Sequence, residues 1–97
     1  MPSFRVTMSI GALAAGTAPP TVVPAAAAAV AELATVEAQD LAVVSGSARV
    51  TVRFTGEDDA QALRIGRHAV ERTRERAEVV SWRVTRRVGG RWYPVTP

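Results

Sequence analysis

The side chains best suited to chemistry in this chain are its arginines, and their spacing aligns them. Arg5, Thr7 and Ser9 recur at every second residue. So do Arg49, Thr51, Arg53 and Thr55, and again Ser81, Arg83, Thr85 and Arg87. In an extended strand, residues two apart share a face, so each run presents guanidinium and hydroxyl groups together. A guanidinium is a planar fork of donors that fits carboxylate and phosphate oxygens two at a time. Hydroxyls also donate to phosphate oxygens. The chemistry implied is anion recognition, and no carboxylate interrupts these positions.

Other chemistries find little support. The chain has no cysteine, which excludes a thiolate nucleophile, a disulfide scaffold and a cysteine-ligated zinc site. His68 is the one histidine. Helical phase places it among charged residues, as a solvated group with no second histidine to share a metal. No glycine-rich phosphate loop follows a strand, and Ser45 and Ser47 lack a nearby base. Glu57, Asp58 and Asp59 sit where a helix begins and the helix dipole favours negative charge. The residues therefore predict no catalytic group, no cofactor and no metal site.

Charge is unevenly placed. All twelve basic residues are arginine, against nine acids, for a net charge of +3. Residues 1–47 hold only Arg5 against Glu32, Glu37 and Asp40; the other eleven arginines lie beyond. A GC-rich coding sequence is the first explanation of the arginine, alanine and valine load. A basic half nonetheless fits an acidic partner, nucleic acid or acidic protein. Between Arg5 and Glu32 no charge occurs, but Gly11, Gly16, Pro19, Pro20 and Pro24 interrupt the stretch. A membrane span needs about 20 strongly apolar residues, so neither a span nor a secretory signal is expected, and a cytoplasmic location is.

The elements that must position the arginines follow from periodicity. Phe4, Val6, Met8 and Ile10 alternate with polar residues, which predicts a first strand over 3–10. A loop covers 11–20. A helix over 20–36 follows, with Pro20 in its first turn and a buried stripe of Val23, Ala26, Ala27, Val30, Leu33 and Ala34. Leu41–Val44 and Ala48–Thr55 read as a hairpin around Ser45-Gly46-Ser47. A second helix over 56–77 is capped by Thr55 and buries Ala62, Leu63, Gly66, Ala69, Val70, Thr73 and Ala77. Glycine inside a helix is unfavourable, so Gly66 implies close packing on the sheet. Val79–Val88 is the fourth strand, with Val80, Trp82 and Val84 inward. Gly89-Gly90 turns the chain into a short edge strand, Arg91–Val95.

The order is β-α-β-β-α-β plus a C-terminal hairpin strand, in a single domain over 1–97. This predicts an α+β two-layer sandwich: an antiparallel sheet ordered four-one-three-two, with two helices on one face. The chain here resembles the ferredoxin-like α/β sandwich in topology, over nearly its whole length. That fold hosts many functions. The same topology is similar to RNA-recognition-motif domains, which carry stacking aromatics on the open face. Here parity turns Phe4, Phe54 and Trp82 to the covered face, leaving Trp92 and Tyr93 at an edge.

The expectation is a small binding module that is not an enzyme. Its contact surface is Arg5, Arg49, Thr51, Arg53, Arg83, Thr85 and Arg87, facing nucleic acid or an acidic protein. Trp92 and Tyr93 are the candidate anchors of an interface, including one in a homodimer paired through sheet edges. The alternative is a homodimeric small-ligand-binding or enzymatic domain of the same fold.

Overall fold

A computed structural model describes residues 1–97. Five strands, β1 (Ser3–Leu13), β2 (Val36–Val44), β3 (Ser47–Thr55), β4 (Ala77–Val88) and β5 (Arg91–Pro94), form one sheet ordered β2-β3-β1-β4-β5. Every pairing is antiparallel. Helix α1 (Val22–Ala31) joins β1 to β2, and α2 (Asp59–Thr73) joins β3 to β4. The topology expected from the sequence is present, and β5 extends the sheet beyond β4. No helix is long and apolar enough to cross a membrane.

Alternation in β1 and β3 builds the core. Phe4, Val6 and Met8 stand directly opposite Phe54, Val52 and Val50, and none of the six is more than 1% exposed. The Phe4 and Phe54 rings stack with centroids 5.9 Å apart. From α2, Ala62, Ile65, Gly66, Ala69, Val70 and Thr73 bury. Ile65 joins this face although the expected arc omitted it, and Leu63 is only half-buried. Gly66 lets the helix sit down on the sheet: a Cβ there would lie 2.6 Å from Val84 Cγ2.

Several boundaries move for identifiable reasons. Helix α1 is shorter than the expected 20–36. Leu33 and Ala34 both return their N–H groups to Val30 O, which closes the helix and leaves Leu33 52% exposed. Val36 then enters β2, so that strand is longer than Leu41–Val44. The cap of α2 is Asp58 rather than Thr55. Asp58 Oδ1 accepts from Gln61 N, and Gln61 Oε1 accepts from Glu57 N. Thr55 is committed to β3, where its N–H donates to Thr35 O; Ala77 likewise belongs to β4.

Turn and bulge chemistry set which face each strand shows. Ser45-Gly46 and Gly89-Gly90 both hold positive φ at two successive residues, as two-residue type I′ hairpins require. Between Ser9↔Ser81 and Ile10↔Val79 the register slips by one. The extra residue is Val80, 66% exposed, while Val79 takes the core position at 5%. The expectation that Val80 packs inward is therefore corrected; a bulge inverts parity on one side of itself.

Candidate functional site

The face of the sheet away from the helices is built in rows across β3, β1 and β4. Arg53, Arg5 and Thr85 are in register; so are Thr51, Thr7 and Arg83, and then Arg49, Ser9 and Ser81. All seven contact residues expected from the sequence lie on these three strands with this parity. Arg5, Arg49, Thr51, Arg53 and Thr85 are half-buried, and Arg83 and Arg87 are exposed. Thr7 and Thr51 hydroxyls meet at 3.4 Å.

Trp92, expected at the sheet edge, reaches onto the open face. Trp92 pairs with Arg87 across the β4–β5 hairpin and so shares its face. Its ring reaches back over roughly 10 Å of sheet, two strand spacings. The Arg5 guanidinium carbon lies 3.9 Å from the ring centroid and that of Arg53 lies 5.4 Å away. Both are within range of a cation–π attraction. The two-residue turn at Gly89-Gly90 was the signal that fixed this register, because it dictates Val88 opposite Arg91. Tyr93 faces the helix side, opposite Arg86, and is 48% exposed.

Carboxylates also reach the open face. The β2–β3 register pairs Asp40 with Thr51 and brings Glu37 into a bulge beside Arg53. Ser3 Oγ donates to Glu37 Oε1 at 2.7 Å, and Arg53 Nε donates to the same oxygen at 3.3 Å. The Ser3 hydroxyl has the largest effect and holds the Glu37 carboxyl below its ordinary range; burial opposes it, and the Arg53 charge and hydrogen bond and the Arg87 charge add to the lowering.

The face thus divides in two. At the β5 end, Arg5 is stacked on Trp92 and Arg53 is paired with Glu37. At the other end, Arg49 and Arg83 have no carboxylate partner. They line a hollow with Thr7, Ser9 and Ser81. A broader hollow of about 260 Å³ lies between Arg5, Arg53 and Asp40.

On the helix side, Arg86 Nη1 donates to Asp59 Oδ1 at 3.0 Å and covers the Phe4 ring. On the exposed surface His68 Nε2 lies 2.9 Å from Glu32 Oε2 and ties α2 to the end of α1. No three His, Asp or Glu side chains gather as metal ligands. Neither a family model nor a curated protein matches the chain. Its resemblance to known proteins is therefore one of fold: a ferredoxin-like α+β sandwich with an arginine-bearing open sheet face.

Proposed function

We propose that the open sheet face is a contact surface for a phosphate-bearing polyanion, nucleic acid before acidic protein, and that the protein is a binding module. One observation carries this reading: guanidinium and hydroxyl groups stand in register on three adjacent strands, with Trp92 lying on the same face. Arginine and hydroxyl donors suit phosphate oxygens. An indole on the same face offers a base a surface on which to stack. The test is binding of a labelled single-stranded oligonucleotide at two salt concentrations. Each phosphate neutralised on a single strand contributes roughly 0.7 to the slope of log affinity against log salt. The combined Arg49→Ala and Arg53→Ala variant flattens that slope by about 0.7, the share of Arg49, because Arg53 is already paired with Glu37. Absence of binding at low salt overturns the reading, and equal affinity for an acidic polypeptide transfers it to an acidic protein.

A second reading has its own observation. An apolar hollow of about 270 Å³ opens between the start of α1 and the sheet, lined by Ile10, Leu13, Val22, Val23, Leu41 and Val50 among others. It supports the alternative of a small-ligand-binding dimer. It ranks second because ligand pockets usually hold about 300 Å³ or more and place a few polar groups. Light scattering that gives a dimer, with an apolar dye bound in this hollow, would move it first.

A further inference from the structure

The unneutralised half of the open face holds a more specific feature than charge. Arg49, Ser9 and Ser81 form one row on β3, β1 and β4, and Arg83 stands in the next. With Thr7 they line an open hollow of about 120 Å³. The Arg49 Nε is shielded from solvent and has no hydrogen-bond partner. A buried unsatisfied donor on a charged group is unfavourable, so Arg49 gains when a small shift of its side chain brings that donor to an acceptor in the hollow. Thr7 shares its hydroxyl with Thr51, whereas Ser9 and Ser81 make no side-chain bond of their own. Asp40 on β2 and Glu78 on β4 form no ion pair with Arg49 or Arg83, although other carboxylates of the chain do pair with arginines.

We propose that this hollow seats a single phosphate group. The inference rests on the reading of the sheet face as a phosphate contact surface and narrows it to one place. Donor number favours phosphate over carboxylate. One guanidinium fork already satisfies the two oxygens of a planar carboxylate. Here two guanidiniums and two free hydroxyls converge from three strands, enough for the several oxygens of a tetrahedral anion. The β5 end is a poorer seat, because Arg53 already carries Glu37 and Arg5 already lies on Trp92.

The experiment is titration of the ¹⁵N-labelled full chain with inorganic phosphate at constant ionic strength, with chloride as control. The Ser9 and Ser81 amides and the Arg49 Nε–H shift and saturate, while the Arg5 and Arg53 Nε–H signals stay in place. Arg49→Ala weakens phosphate binding about tenfold or more, and combined Ser9→Ala and Ser81→Ala weakens it about five- to tenfold. Arg49→Lys keeps the charge and the solvated fold but loses the Nε donor, and it also weakens binding. Unsaturating shifts spread over all the arginines, or equal shifts with chloride, overturn the seat. If the oligonucleotide still binds with steep salt dependence in that case, the wider face reading survives without it; if neither ligand binds, both fall. A 5′-phosphorylated oligonucleotide that binds about tenfold tighter than its unphosphorylated counterpart assigns the seat to a terminal phosphate. Equal affinity assigns it to the phosphodiester backbone.

Discussion

Glu37→Gln isolates the electrostatics of the open face, because it removes a charge and almost nothing else. The amide oxygen can still accept from Ser3 and from Arg53, whose Nε now lies 3.3 Å from the carboxylate. Both partners are partly exposed, with side chains 27% and 34% accessible, so the fold loses less than about 1 kcal/mol. Binding should respond more strongly. A phosphate held by Arg53 would sit roughly 7 Å from the Glu37 carboxylate. At that distance the repulsion is of order 1 kcal/mol for a screening between that of water and of a protein surface. Its removal strengthens oligonucleotide binding near fivefold at low salt. Because Arg53 becomes free to neutralise a phosphate, the salt slope also steepens by up to about 0.7. Fluorescence anisotropy of a labelled oligonucleotide at roughly 50 and 200 mM salt measures both effects. Unchanged affinity and slope would show that phosphates never visit the Arg53 end. Weaker binding would reverse the sign and sink the electrostatic account.

The remaining predictions concern the scaffold and the site together. Gly66→Ala gains about 1 kcal/mol of helix propensity but sets a methyl 2.6 Å from Val84 Cγ2. Overpacking of about 1–3 kcal/mol wins, and the urea midpoint falls; an unchanged or higher midpoint refutes the close approach of α2. Asp58→Ala removes the bond to Gln61 N and lowers stability by about 1 kcal/mol in the same assay, whereas Thr55→Ala leaves the cap intact. The folded Glu37 carboxyl titrates below its ordinary 4.5 because Ser3, Arg53 and Arg87 favour its charged form. Its stabilising effect is therefore complete above that value and is lost as pH falls through the lower folded one. The stability gap between the native chain and Glu37→Gln closes on acidification, and a gap that stays the same from neutral to acid pH contradicts this.

The fold was legible where periodicity was strict. Alternation in Phe4–Met8 and Val50–Phe54 placed the core rows, and the Gly66 arc placed α2. Legibility failed where a local signal competed. The alanine run suggested a helix reaching 36, but propensity does not mark where the chain must leave to join a sheet, and Val36 was needed by β2. Val80 looked inward because parity was counted through a bulge that no residue type announces. That Arg5, Arg49, Thr51, Arg53, Arg83, Thr85 and Arg87 share one face was readable from spacing alone. The faces of Glu37 and Asp40 were not, since the alternation of Val36-Glu37-Ala38-Gln39 breaks at Asp40 and a bulge shifts its phase. Yet the turn at Ser45-Gly46 fixes the register that sets Asp40 opposite Thr51, and the bulge between Val36 and Ala38 then brings Glu37 beside Arg53. The same counting from Gly89-Gly90 would have found Trp92.

That last turn gives the protein an unusual mechanical sensitivity. Only the pairing of Val88 with Arg91 decides which surface the indole joins. A single inserted residue in the glycine pair, if it slid the ladder by one, would exchange the sides of Trp92 and Tyr93. The indole would leave Arg5 and swing toward the helical layer, while the phenol took its place among the cations. Two glycines thus act as a selector between two surface chemistries, with the rest of the chain unaltered.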